Sequence, residues 1–291
     1  MPLFNSHYQL GLMGYPLGHS LSPKIHAAAL RSCGLEGEYS LFPVHPDDRQ
    51  SLKNLLARVR SGEIQGLNVT IPHKQNVIPY LDELTPTAEA IGAVNTIYLR
   101  GNNLIGDNTD APGFLKDLNH FLANHQSQIT KSPNHQITKS SIILGSGGSA
   151  RAVVYALLKD GWKVTIAARR IEQANELAKQ FANVEVIEYN VQTFKLLNME
   201  LIINTTPVGM TPNIDGSPWP ENLAFPARAA IYDLVYNPRE TKLVRQACLQ
   251  GLPAITGLGM LIEQAALSFE IWTGHKPARE IILDSVNQMA H

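Results

Sequence analysis

Apolar residues along the chain fall into two successive series in which short strand-like runs alternate with helix-like segments. In the first, "YQLGLMGYP" reads as a strand. "SPKIHAAALRSCG" reads as a helix with Ser22 as N-cap, Pro23 at the first helical position and Gly34 past its end. "GEYSLFPV" is a second strand, "DDRQSLKNLLARVRSG" a second helix and "IQGLNVTI" a third strand. "GAVNTIYLRGNNLIGDNTD" reads as a hairpin turning at Arg100 to Asn103. Strand–helix alternation ending in a hairpin implies an α/β layer on a mixed sheet.

The second series begins at "SIILG". It continues with the helix "GGSARAVVYALLKDG", the strand "KVTIAA", the helix "IEQANELAKQFA" and the strands "VEVIEY" and "ELIINTT". A Pro-rich loop, "PVGMTPNIDGSPWP", leads to "AAIYDLVY", the helix "TKLVRQACLQG" and two closing helices near 258–272 and 277–290. Short apolar strands with helices between them imply a parallel sheet covered on both faces. Between the series lies polar "LANHQSQITKSPNHQITKSS", residues 122–141, in which NHQ…ITKS occurs twice, at 124–132 and 134–140. It reads as a duplicated surface linker without chemistry. The fold class expected is α/β in two domains: an N-terminal domain with a mixed sheet and a Rossmann-type domain.

One local placement stands out. In "LNVTIPHKQ", Pro72 suits the first position of a new helix, which puts Lys74 in its first turn. The macrodipole disfavours a cation there, so a lysine with no task beyond solvation would sit better at the other end.

Composition narrows the function. The 291 residues are 44% hydrophobic and 17% charged, with a net charge of −1, which gives no electrostatic reason to expect nucleic acid or an anionic membrane as partner. No apolar run reaches the roughly 18 residues of a transmembrane span. The N-terminus lacks a basic n-region and a long apolar h-region, so no signal peptide is expected. Cys33 and Cys248 stand far apart without a CxxC partner, and the ten histidines show no ligand spacing. Neither a disulfide scaffold nor a metal is expected, and a reducing cytoplasm is the default.

The strongest chemical signal is "ILGSGGSARAV". It puts Gly145, Gly147, Gly148 and Ala150 between a strand and a helix, where glycines let backbone approach a pyrophosphate at the helix N-terminus. An NAD site usually carries an acidic residue about 20 positions on, for the ribose hydroxyls. Here the next strand ends in Ala168, followed by Arg169 and Arg170. No carboxylate repels a 2′-phosphate and two guanidiniums can hold one, which favours NADP.

Together "GYPLGHSLSPKIHAAAL", "GLNVTIPHK", "AIGAVNTI", "GDNTDAPGF", "LGSGGSARAV", "NTTPVGM", "DLVYNPRETKLVRQA" and "GLGMLIEQAA" resemble the shikimate dehydrogenase family, in the family's order from residue 14 to 266. The resemblance implies NADPH-dependent reduction of 3-dehydroshikimate to shikimate, within aromatic amino-acid and chorismate biosynthesis. It implies a substrate domain at 1–112 plus 258–291 and an NADP domain at 113–257. Lys74 and Asp110 would form the catalytic pair. Ser20, Ser22, Asn68, Thr70, Asn95, Tyr236 and Gln264 would hold the substrate. Gly145, Ser146, Gly147, Gly148, Ser149, Ala150, Arg169 and Arg170 would hold NADP, with Met210 and Gly257 nearby. The family often has Asn-Arg-Thr or Asn-Arg-Ser where this chain has "ARR", so Arg170 would substitute for a lost polar contact at Ala168.

The residues suit a small, polyhydroxylated anionic substrate. Ser20 and Ser22 are two apart, so in an extended segment both point the same way. Asn95 interrupts "AVNTIY", where strand interiors are poor in Asn, and is either a ligand or a buried structural amide. Gln264 lies on an apolar stripe with Met260, Leu261 and Leu267. Asp110, before "APGFLKDL", is also placed to cap a helix. Reduction of a ketone by hydride needs a proton donor at the oxygen, and the sequence leaves open whether Lys74 is that donor or mainly a positioner. Alternatives are a quinate/shikimate dehydrogenase of broader substrate and cofactor use and a non-catalytic dinucleotide-binding regulator. The partners expected are a small-molecule substrate and, at most, a second copy of the chain, as monomer or homodimer.

Overall fold

The structure, a computed structural model of the chain, describes residues 7–125, 138–195 and 199–287. Most of the duplicated segment, residues 126–137, lies outside the described residues. The chain divides into two compact units, Met1–Gly113 with Ile262–His291, and Phe114–Leu261.

The first unit is built on a mixed six-stranded sheet. Its strands are β1 (Tyr8–Gly14), β2 (Gly37–Pro43), β3 (Gly66–Val69), β4 (Glu83–Leu84), β5 (Thr96–Arg100) and β6 (Asn103–Asp107), in the order β2-β1-β3-β5-β6-β4. β1 runs parallel to β2 and β3, and β5 antiparallel to β3 and β6. The expected hairpin is present: Arg100 pairs with Asn103 across a two-residue turn in which Gly101 takes φ +61. Helices α1 (Ser22–Ser32), α2 (Arg49–Arg60), α3 (His73–Asn76) and α4 (Pro86–Ile91) fall between the strands. In α2, Leu52, Leu55, Leu56 and Val59 recur at helical spacing and bury into one core with Met13, Leu67, Val69 and Ile97. Asp48 starts that helix, its Oδ1 accepting from Ser51 N at 2.9 Å.

Several local expectations are corrected. Ser22 is the first residue of α1 and not its cap; Leu21 holds that position, and Ser20 Oγ accepts from Ser22 N at 3.2 Å. The 20–22 stretch is therefore not extended. Pro72 is the N-cap of α3 and not its first residue. With four residues, α3 is about one turn, so Lys74 lies in its last turn as well as its first. The dipole therefore gives no reason for the lysine's position. Asn95 precedes β5 and does not interrupt it. Asp110 is the first residue of α5 (Asp110–Asn124), and it is Asn108 Oδ1 that accepts from Ala111 N, at 3.3 Å.

The second unit carries six parallel strands: β7 (Ser140–Leu144), β8 (Lys163–Ala168), β9 (Val184–Glu188), β10 (Leu201–Asn204), β11 (Ala230–Asp233) and β12 (Ala254–Thr256). Their order is β12-β11-β10-β7-β8-β9. The chain therefore winds outward from β7 to one edge, returns, and winds from β10 to the other, as in a doubly wound dinucleotide fold. The switch point falls between β7 and β10. Helices α6 (Gly148–Lys159), α7 (Ile171–Ala178), α8 (Val191–Lys195) and α9 (Lys242–Leu249) lie between these strands in the chain. The core joins Ile142, Leu144, Ile202 and Ile231 to Phe194, Trp219 and Phe225. The closing helices are α10 (Leu258–Thr273) and α11 (Arg279–Asn287); the division between units falls within α5 and α10.

Candidate active site

Within the first unit, segments remote in sequence converge on one buried polar cluster. Lys74 Nζ donates to Asp110 Oδ2 at 2.5 Å. Both residues are nearly enclosed, at 9% and 5% exposure. A pair this buried is costly to desolvate, and further hydrogen bonds to its members offset part of that cost. Asn95 Nδ2 supplies one such bond, donating to Asp110 Oδ1 at 2.9 Å. Asn95 is itself fixed, because its Oδ1 accepts from Thr109 N at 2.8 Å and from Thr96 Oγ1 at 3.0 Å. Those acceptances settle which way the amide faces, with its nitrogen toward the carboxylate. The Lys74 carbonyl accepts from Val94 N at 2.7 Å, tying the α3 turn to the segment that carries Asn95.

Gln264 on α10 reaches the same cluster, its Oε1 accepting from Asn95 Nδ2 at 3.2 Å. α10 comes close there: a Cβ on Gly113 would lie 2.7 Å from Gln264 N. Asn68 is also buried, but its amide is spent inside the protein. Nδ2 donates to Asn95 O and Ser268 Oγ, each at 3.1 Å, and Oδ1 accepts from Tyr39 at 2.8 Å. Ser22 is buried and Thr70 half-buried, and neither side chain makes a hydrogen bond among the described residues. Their hydroxyls, and the two N–H bonds of Lys74 not used by Asp110, are the uncommitted polar groups of this region.

Sequence reasoning missed Thr96, Thr109, Ser268 and Tyr39. Ser268 Oγ lies 2.7 Å from Thr96 Oγ1 and 3.0 Å from Thr109 Oγ1, and donates to Gln264 O at 3.1 Å. A signal was present, since Ser268 follows Gln264 by four positions on an otherwise apolar helix face. His26 is buried beside this cluster, its ring stacked on Tyr39 with centroids 4.3 Å apart. Neither ring nitrogen has a hydrogen-bond partner among the described residues. Burial pushes its imidazole down to about 3, with the neighbouring Asn68 amide pulling weakly the other way.

In the second unit, β7 runs into Gly145, Ser146 and Gly147, and α6 begins at Gly148. Gly145 takes φ +110, and a Cβ there would lie 2.8 Å from Thr206 Cγ2 and 2.9 Å from Thr205 Oγ1. Gly147 differs: a Cβ there would meet nothing within 4 Å, so packing does not explain its glycine. That open face at the start of α6 suits the close approach of a pyrophosphate. Ala150 is fully buried, as close helix–strand packing requires, whereas Ser149 is half-buried. β8 ends at Ala168 with no carboxylate after it, and Arg169 and Arg170 are exposed. Neither guanidinium makes a hydrogen bond or ion pair among the described residues, so both are available to a phosphate. These residues fit a 2′-phosphorylated dinucleotide.

Three further expected residues also belong to this unit. Met210 is exposed at 45%. Gly257 packs so closely that a Cβ would lie 2.3 Å from Leu234 O. Tyr236 is half-buried, and burial raises its phenol above the usual value.

A doubly wound parallel sheet with a glycine loop at its first strand, in a chain that also holds a buried lysine–carboxylate pair, defines a dinucleotide-dependent oxidoreductase of the α/β class. Comparison with known proteins makes this specific. Residues 12–97 match the shikimate dehydrogenase substrate binding domain, 127–214 shikimate / quinate 5-dehydrogenase, and 257–286 the shikimate 5′-dehydrogenase C-terminal domain. Over 271 residues the chain is 39% identical to the shikimate dehydrogenase (NADP(+)) of Bacillus subtilis (strain 168), covering 92% of each. It is also 39% identical over 295 residues to that of Salinibacter ruber, covering 98% of this chain and 99% of the relative. It superimposes with a TM-score of 0.82 on the Thermus thermophilus shikimate 5-dehydrogenase in complex with NADP(H) and shikimate, at 36% identity, covering 97% and 99%. The chain belongs to the shikimate dehydrogenase family.

Proposed function

We propose that this chain catalyses the reversible NADPH-dependent reduction of 3-dehydroshikimate to shikimate, in the biosynthesis of chorismate and the aromatic amino acids. The observation that carries the reading is the buried Lys74–Asp110 pair at 2.5 Å, oriented by Asn95, in a chain of this family. A hydride to the carbonyl carbon is the chemistry that bound NADPH supplies. The carbonyl oxygen gains negative charge as this happens, and an uncommitted N–H of Lys74 answers it with a hydrogen bond and the proton. Asp110 holds the ammonium in place and accepts from a neighbouring substrate hydroxyl. Ser20, Ser22, Thr70, Tyr236 and Gln264 hold the remaining hydroxyls and the carboxylate, while Asn68 and Asn95, committed to protein partners, hold the cluster together around them.

Residues 1–112 with 258–291 serve as the substrate domain and 113–257 as the NADP domain. Gly145, Ser146, Gly147, Gly148, Ser149 and Ala150 cradle the pyrophosphate, and Arg169 and Arg170 the 2′-phosphate. Met210 and Gly257 would lie near the bound cofactor. No described helix is long and apolar enough to cross a membrane. The protein works in the cytoplasm as monomer or homodimer.

The test is the absorbance change on NADP reduction with shikimate or quinate, repeated with NAD. Fast turnover of shikimate with NADP, and little with the other three combinations, is expected. Comparable rates with quinate or NAD would replace this reading with a broader quinate/shikimate dehydrogenase. No turnover with any combination would overturn it in favour of a non-catalytic nucleotide-binding protein.

A further inference from the structure

At the C-terminal ends of β10 and β11, a buried carboxylate sits with hydrogen-bond donors but no cation among the described residues. Asp233 is fully buried. Its Oδ1 accepts from Asn204 Nδ2 at 2.8 Å and from Val235 N at 3.0 Å, and its Oδ2 from Thr241 Oγ1 at 2.6 Å. A carboxylate can only accept, so it commits the Asn204 amide nitrogen toward itself and the amide oxygen away. That oxygen then accepts from both Thr206 N, at 2.9 Å, and Thr206 Oγ1, at 2.7 Å. Thr205 is held alongside, its N and Oγ1 both donating to Leu144 O, at 3.0 and 2.9 Å. Thr205 and Thr206 are the side chains that crowd the Cβ position of Gly145.

We propose that Asp233 is a positioning residue for the nucleotide site: by fixing the flip of Asn204 it fixes Thr206, and through Thr206 the backbone of the glycine loop at Gly145. The proposal rests on the assignment of that loop to NADP. The chain of contacts costs the fold a buried charge, because burial pushes the Asp233 carboxyl up to about 6 while its three hydrogen bonds pull it down. An apolar residue would fill the space without that cost, so stability alone does not account for the acid.

The experiment is direct titration of NADPH by its fluorescence at pH 8, where Asp233 is ionised, with the shikimate KM measured in parallel. Asn204→Asp sets two acceptors against each other, and its NADPH Kd is expected to rise about tenfold or more, a lost charge-assisted hydrogen bond, with the shikimate KM within about twofold of wild type. Asp233→Asn keeps an oxygen for Asn204 and is expected to shift Kd less than about threefold. The swap Asn204→Asp with Asp233→Asn restores a donor facing an acceptor and is expected to recover part of the loss, as a coupled pair must. An unchanged Kd in Asn204→Asp, a parallel loss of shikimate affinity, or a swap no better than Asn204→Asp would each overturn the proposal. Gly145→Ala tests the loop assignment separately. Its strained φ should abolish NADPH binding, and normal binding would remove the assignment and the proposal with it.

Discussion

Lys74 and Asp110 stand 36 residues apart in the chain, yet their Nζ and Oδ2 lie 2.5 Å apart, and the second carboxylate oxygen is taken by Asn95. The lysine comes from a single helical turn and the aspartate from the first position of a long helix. What joins them is the segment between α4 and β5: Val94 donates to the Lys74 carbonyl while Asn95 holds the carboxylate.

Removing the ammonium should therefore act at the chemical step. Lys74→Ala is expected to lower kcat by orders of magnitude while leaving NADP affinity near that of wild type. The same change strands a buried carboxylate, and unfolding in urea should reveal a loss of about 3 kcal/mol or more. Initial-rate kinetics that returned an unchanged kcat would take Lys74 out of the mechanism.

Arg169 and Arg170 follow the last residue of β8, and neither makes an ion pair among the described residues. Replacing both with Ala should weaken NADP binding far more than NAD binding, because only NADP carries the 2′-phosphate. Isothermal titration with the two nucleotides decides it: equal weakening would sink the assignment.

The sequence made the fold legible wherever local rules acted alone. The hairpin at Arg100 to Asn103 and the apolar stripe of α2 depend on turn chemistry and periodicity, and both are in place. Local rules misled where several polar residues compete for one task. Asn108 and Asp110 both stand at the start of α5, and the sequence could not say that Asn108 takes the Ala111 amide. The dipole argument drew attention to Lys74 for a reason the single-turn α3 does not support. Ser268 could be seen only beside Gln264, four positions earlier, and Asp233 not as part of a network, because the decisive partners lie far off in the chain: Asn68 is 200 residues from Ser268, and Asn204 is 29 from Asp233. One read as an ordinary residue of an apolar helix, the other as part of the strand "AAIYDLVY".

His26 gives the first unit an acid sensitivity. Its imidazole titrates at about 3 in the fold against 6.5 when solvated. Between those values the unfolded chain takes up a proton that the folded one refuses, so stability is complete above 6.5 and is lost as pH falls. Between pH 7 and pH 5 the loss amounts to about 2 kcal/mol. His26→Leu lacks this titration, so urea unfolding should show the variant gaining that much on wild type over the interval, whatever constant offset its packing adds. A pH-independent difference would mean that the buried ring takes up its proton in the fold as readily as in the unfolded chain.

Asp233 should produce the opposite slope. Burial raises its carboxyl from 3.8 to about 6, so between these values the folded chain holds a proton that the unfolded one releases. Stability from this group is greatest at low pH and declines as pH rises to about 6, above which it is level. Asp233→Asn cannot titrate and keeps an oxygen for Asn204. Comparing the two proteins at pH 4 and pH 7, wild type should lose about 2 kcal/mol relative to the variant over that interval, with no further change to pH 9. A gap that widened with acid instead would show that the three donors around Asp233 outweigh its burial and keep the carboxylate ionised well below pH 4.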